Sequence, residues 1–220
     1  MKQINLFLIL SIGLLSCSPA RFVKPLAKKQ QAVDLSLGGP LFKMDKTTIP
    51  MPFISATYGY GIDSTLTGFG SINITSALYG NFQVELGVTK QLLKQHGAFP
   101  ALSVIPVANI IYRNKDAAKF YPQLDLYAFW EYGPKRNLLY VGASNWFELA
   151  KTRSLEQEQP YHWIFTPVLG HSFTGKKWNV NIEAKVIAPT ISNEKLVVEY
   201  QTPFNKNGAL GVYIGYTRKF

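Results

Sequence analysis

One cysteine occurs in 220 residues, Cys17, so no disulfide can form within the chain and no thiolate cluster can hold a metal. Charge is sparse too. Only 16% of residues are Asp, Glu, Lys or Arg, whereas the surface of a soluble domain is about 25–35% charged. Long apolar runs are missing after the first sixteen residues, and nothing there approaches the roughly 18 consecutive apolar residues of a membrane-spanning helix. Acidic residues are few, 13 against 23 basic ones, for a net charge of +10. The basic residues lie in separate turns and not in one patch. That excludes nucleic acid as the natural partner and favours anionic lipid head groups or lipopolysaccharide.

What the chain does have is apolar and aromatic content, 47% hydrophobic with 14 Phe, 12 Tyr and 4 Trp, delivered by alternation. The last thirteen residues, Gly208 to Phe220, set the pattern. Tyr216, Ile214, Val212 and Leu210 share one parity; Lys219, Thr217, Gly211 and Ala209 share the other, joined by Tyr213. A period of two marks a strand with one greasy and one wetter face. This segment resembles the closing strand of bacterial outer-membrane β-barrels, which commonly ends in Phe. Arg218 departs from that pattern, where the family usually has an apolar or aromatic residue. The resemblance implies recognition of this strand by the barrel-assembly machinery.

At the other end, Met1 to Ser16 has a basic start and an apolar run from Leu6 to Leu15, the form of a secretory signal. It closes on L-L-S-C at Leu14 to Cys17, which resembles the lipobox of bacterial lipoproteins. The resemblance implies that Cys17 is the lipidation site, diacylated with palmitate-like chains. Ser18 follows with no acidic residue nearby, and by resemblance to lipoprotein sorting rules nothing there asks for inner-membrane retention or surface export. An ordinary signal with a chance cysteine is the alternative.

The organisation that follows is a signal over 1–16, a lipidated tether over 17–31 and a barrel over 32–220. The tether, with R-F-V-K-P-L-A-K-K-Q-Q at Arg21 to Gln31, is basic and aperiodic. Ten strands are predicted: Ala32–Phe42, Pro52–Ile62, Thr65–Thr75, Ala77–Thr89, Leu102–Arg113, Phe120–Tyr132, Leu138–Leu149, Tyr161–Phe173, Trp178–Ala188 and Gly208–Phe220. Asn145 sits as a misfit on a greasy parity, Pro106 blurs the register of the fifth strand, and Q-L-L-K-Q after the fourth has helical character. Turns on the terminal side are short (D-S, G-P-K-R-N, T-G-K-K), apart from Lys90–Pro100, and most opposite loops are longer or polar.

The fold class predicted is therefore all-β: a single up-and-down antiparallel transmembrane β-barrel in a Gram-negative outer membrane, anchored on the periplasmic side. A soluble lipocalin-like barrel carrying an apolar ligand would also alternate, with its greasy face inside. Three features favour the membrane version. The strands are long, the wetter faces carry Gly, Ser, Thr and Asn, and aromatics gather near strand ends. Trp130, Tyr132, Trp163, Trp178 and Phe220 are the girdle candidates.

The wetter parities hold Asp34, Glu85, Asp125, Glu131, Glu183 and Lys185, and Arg113 stands at a strand end. Tyr79, Tyr127, Phe129 and Tyr213 are predicted to narrow the lumen. Charges in a narrow bore need partners, so these read first as a polar plug of ion pairs, and second as a selective pore. For catalysis the residues are His96, His162 and His171. His171 and Ser172 are strand neighbours and point to opposite faces, so they form no dyad. No catalytic, metal or cofactor site is predicted. The function expected is non-catalytic: membrane structure, surface interaction or narrow-pore passage of small solutes, with a lipid- or peptide-modifying enzyme as the alternative. In the last outer loop, K-L-V-V-E-Y at Lys195 to Tyr200 offers a strand edge to a partner.

Overall fold

The computed structural model describes residues 22–44, 47–113, 118–152, 158–193, 198–204 and 206–220. The segment 1–16 predicted as a signal, and Cys17, lie outside them. Eleven strands are seen: β1 (Gln31–Met44), β2 (Thr47–Pro50), β3 (Phe53–Asp63), β4 (Leu66–Asn73), β5 (Asn81–Leu93), β6 (Ala101–Arg113), β7 (Lys119–Tyr132), β8 (Asn137–Phe147), β9 (Trp163–Thr174), β10 (Trp178–Ser192) and β11 (Asn207–Lys219). All pairings are antiparallel: β3 to β11 pair in sequence order, β3 also pairs with β1, and β11 pairs back onto β1, with Ser36 opposite Gly215. Ten strands thus close the barrel. β2 stands outside the ring as a hairpin on the far end of β1, where the sequence suggested only a loop.

Period two decides which side each residue faces, and the faces fall as the outer-membrane pattern requires. Leu35, Leu37, Phe82, Leu86, Leu126, Leu169, Ile182, Ile214 and Tyr216 are exposed on the outside, Phe82 by 56% and Leu86 by 54%. Asp34, Ser36, Thr57, Ser71, Glu85, Ser144, Thr166 and Thr217 are buried on the inside. A lipocalin-like arrangement is overturned by this polarity. The misfit Asn145 caps the outer face near one rim: its amide donates to the Leu124 carbonyl at 2.9 Å and accepts from the Trp163 indole at 3.0 Å. In β6 the register is settled by Ser103, Ile105 and Asn109 pointing inward, with Pro106 outward.

Some strand ends differ from the sequence reading. Asn73 caps a short helix α1 (Ile74–Leu78) by accepting a bond from the Ser76 amide at 2.9 Å. An Asn side chain offered to the next backbone turn competes with the ladder, so the strand stops there. Tyr79 is consequently 63% exposed beyond α1 and does not narrow the lumen. Arg113 likewise lies exposed at the end of β6, outside the bore. Gln91–Leu93 extend β5 and are not helical. The edge at Glu199–Gln201 is taken up by the chain itself: Lys43 N donates to the Glu199 carbonyl and Gln201 N to the Leu41 carbonyl, each at 2.8 Å. Residues 195–197 of K-L-V-V-E-Y lie outside the described residues.

The largest departure is at the start. Residues 22–30 do not hang below the barrel as a tether. Phe22, Val23 and Leu26 are buried inside it, packed with Phe69, Ile105, Tyr127, Phe129 and Tyr140 from the wall.

Candidate functional site: the bore and its terminal mouth

Three apolar side chains in a basic segment cannot form a core of their own, but the lower half of the bore offers one. Two glycines on the inward parity of β3 make the room. A Cβ at Gly59 would lie 2.4 Å from the Phe22 ring, and one at Gly61 would lie 2.0 Å from the Ala27 carbonyl oxygen. The backbone of the inserted segment is bonded to the wall. Leu26 N donates to Thr67 Oγ1 at 2.8 Å, Ser103 Oγ to the Val23 carbonyl at 2.8 Å, Lys29 N to the Gly61 carbonyl at 2.7 Å and Gly61 N to the Gln30 carbonyl at 2.9 Å. Each bond satisfies a peptide group that burial would otherwise leave costly.

Glu131 closes this arrangement at the rim where β1 begins and β11 ends. Its carboxylate bonds Lys24 Nζ at 2.7 Å and Arg136 Nε at 2.6 Å, tying the inserted segment to the β7–β8 turn. Its backbone amide donates to Gln95 Oε1 at 2.6 Å, which draws in the β5–β6 link. Between the segment and the wall of β8–β11 remains a cavity of about 420 Å³, lined by Lys24, Arg136, Lys219, Asn179, Asn181 and Thr217 among others.

Above the inserted segment the bore is polar. Asp34 accepts from Ser36 Oγ at 2.5 Å and from Thr217 Oγ1 at 2.7 Å. Glu183 accepts from Tyr140 Oη at 2.8 Å and pairs with Lys185 at 3.4 Å; the Lys185 ammonium also lies 4.9 Å from the centre of the Tyr213 ring. Glu85 accepts from Gln83 Nε2 at 3.2 Å. Asp125 accepts from Gln123 Nε2 at 2.9 Å, and the same amide reaches Ser144. Asp34, Glu85, Asp125, Glu183 and Lys185 are thus buried in the bore, while Glu131 belongs to the mouth. The far end is narrowed by a second apolar cluster of Phe53, Ile187, Ala209 and Tyr213, against which Met51 and Tyr200 pack.

The girdle candidates stand on the outer face: Tyr132, Trp163, Trp178 and Phe220 are exposed, and Trp130 donates its indole N–H to the Ala98 carbonyl at 2.9 Å. His171 is held on the outer side by Tyr132 Oη, 2.5 Å from Nε2, while Ser172 faces the bore. Among the described residues no three His, Cys, Asp or Glu side chains gather to hold a metal ion. Sequence reasoning missed Phe22, Val23, Lys24 and Leu26. The available signal was an apolar trio within the basic segment, together with glycines facing inward on β3.

No family model matches the chain, and no curated protein matches it. Solved structures do. An outer membrane channel from Pseudomonas putida F1 superposes with a TM-score of 0.52 at 11% identity, over 92% of this chain and 100% of that one. The translocator domain of the autotransporter NalP from Neisseria meningitidis gives 0.45 at 10% identity, over 90% and 91%. The NanC porin gives 0.46 at 8%, over 86% and 100%. The first of these establishes the fold as that of outer-membrane barrels.

Proposed function

We propose that this chain is a lipid-anchored barrel of the bacterial outer membrane whose bore is a narrow passage for small solutes, throttled by its own N-terminal segment. The single observation that supports this is the cavity of about 420 Å³ at the mouth, flanked by Lys24, Arg136 and Lys219, below an interior lined with Ser, Thr and Asn. A barrel serving only as membrane structure needs no such opening. The inserted segment, held by a few hydrogen bonds and one carboxylate, is the movable part.

Anchoring fits the same picture. Cys17 stands five residues before Phe22, and five extended residues reach about 17 Å, so an acylated Cys17 can return to the periplasmic leaflet at the mouth. Outer-membrane lipid, lipopolysaccharide and the assembly machinery are then its expected partners, the last engaging β11.

Single-channel recording in planar bilayers tests the passage. The full chain should give small conductance steps, and deletion of Phe22–Gln30 should enlarge them. Silence from both proteins, with heat-modifiable gel mobility proving that each barrel is folded, rules out a passage. Metabolic labelling with an alkyne palmitate tests the anchor: loss of label in Cys17→Ala is expected, and an unlabelled parent chain overturns it.

A further inference from the structure

Lys219 ends β11 on the inward parity, and among the described residues no carboxylate pairs with it. Its ammonium donates to the Gly175 carbonyl at 3.1 Å and to Asn179 Oδ1 at 3.0 Å, both neutral oxygens. A lysine has three N–H donors, so one is left, together with an uncompensated charge. Ser172 on β9 lines the same cavity. It is 2% exposed, and its hydroxyl has no hydrogen-bond partner among the described residues. Buried polar groups are nearly always satisfied, so an orphaned hydroxyl on a cavity wall marks a place where something outside the chain completes the bond.

The charge around the cavity is one-sided. Lys24, Lys135 and Arg136 join Lys219 about its 420 Å³, and none of the residues lining it is acidic. Glu131 and Asp34, behind the lining, are engaged: Glu131 by Lys24 and Arg136, Asp34 by Ser36 and Thr217. One carboxylate shared by two cations leaves that group net positive. The turn between β9 and β10 adds Lys176 and Lys177 at the same rim. In a cleft with low-dielectric walls, charge of one sign concentrates ions of the other, and Arg and Lys line anion pores for this reason.

The space suits an extended organic anion better than an inorganic ion, since small-molecule sites measure about 300–1,000 Å³. Polar groups lead inward from Lys219. Asn179 accepts its bond, and Asn181 lies two residues deeper, about 7 Å along a strand, with Ser172 opposite it. The inserted segment faces this polar track with Val23 and Leu26.

The geometry points to a binding site in the mouth cavity for a small hydroxylated organic anion, the sugar-acid class. Lys219 takes the carboxylate, within the field of Lys24 and Arg136. Asn179, Asn181 and Ser172 bond the hydroxyls along the chain, and its C–H groups lie on Val23 and Leu26. As a statement of which solute passes, this rests on the passage proposed above; the site itself is tested at equilibrium, without any current.

The full chain is placed in nanodiscs of phosphatidylcholine, whose head groups carry no net charge. It is titrated calorimetrically at low ionic strength with three six-carbon polyols: gluconate, neutral sorbitol and cationic glucamine. Gluconate should bind at a single site, at least about tenfold more tightly than either of the others, the scale of one hydrogen bond to a charged group. Lys219→Gln should erase most of that preference, and Ser172→Ala should weaken gluconate about three- to tenfold. Heat-modifiable mobility shows that each variant is folded; should one fail to fold, the three-polyol comparison in the parent decides alone. Equal binding of the three, no binding of gluconate, or an affinity unchanged in both folded variants overturns the site, whether or not the barrel conducts. Selective gluconate binding by a chain that is silent in planar bilayers upholds the site and ends the passage.

Discussion

The ring of Phe22 stands edge-on to the ring of Phe69, centroids 6.3 Å apart at an interplanar angle of 61°. One residue belongs to the inserted segment and the other to β4, so this contact is where segment and wall meet. Edge-to-face pairs of this kind add about 0.5–1.5 kcal/mol beyond the area they bury. The segment's position depends equally on the space opposite, which Gly59 and Gly61 provide.

Gly61→Val is expected to expel the segment while leaving the barrel closed. The atom its side chain would strike is the Ala27 carbonyl oxygen, part of a backbone that cannot rotate aside. Thermolysin added at the terminal side should then cut before Phe22 and Val23, which are buried in the parent, and heat-modifiable mobility should not change. Continued protection at Phe22 and Val23 would show that the segment does not depend on this space.

Glu131→Gln removes the carboxylate shared by Lys24 and Arg136. Hydrogen bonds to a charged group contribute about 1.5–3 kcal/mol, and these partners are partly exposed, so the lower end applies. The variant should show faster thermolysin cutting at Phe22 and Val23 and, at equal salt, a larger mean conductance. Raised ionic strength should speed the cutting more in the parent than in the variant, since salt screens pairs near the surface. A parent no more sensitive to salt than the variant would place the hold elsewhere.

These two expectations separate what the sequence made legible from what it did not. The inside-out wall was legible because period two is rigid: once Leu35 and Leu37 face out, Asp34 and Ser36 must face in. Ten strands and their order followed from turns such as Asp63–Thr65, where the Asp63 carboxylate accepts from the Thr65 amide at 2.6 Å. Strand ends were less legible. Alternation continues through Ile72 and Ile74, and only the capping choice of Asn73 stops β4 there. The inserted segment was illegible for a different reason. Phe22, Val23 and Leu26 share no period with any strand, and the complementary information, glycines at 59 and 61, lies more than thirty residues away. Its signature is a vacancy, which alternation does not report.

The Glu183–Lys185 pair tests how the polar half of the bore is held. Both side chains are almost wholly buried, and Tyr140 Oη donates to the same carboxylate. Lys185→Met should destabilise the barrel by about 3–5 kcal/mol, because it strands a buried charge. Adding Glu183→Gln should recover much of that loss, since two neutral groups of similar size need no counter-charge. Urea unfolding midpoints in lipid vesicles measure both. Equal losses in the single and double variants would mean that the pair is not energetically coupled.

The outer wall itself carries the last expectation, and Arg218 sets its scale. That arginine is exposed on the greasy parity one residue from Lys219, at the terminal rim, opposite Val33 and Trp178. There an Arg reaches head groups, and its cost is about 0–1 kcal/mol. Ile214 shares the parity but sits further along β11, opposite Leu37 and Ile182, with only apolar neighbours across the ladder. Ile214→Arg, and likewise Val84→Arg on the other side of the barrel, should therefore cost about 2–4 kcal/mol and slow insertion into vesicles. Arg218→Phe should change stability little. The comparison reads depth directly: if arginine costs the same at 214 as it does at 218, no hydrocarbon surrounds the middle of β11, and the outer face meets water.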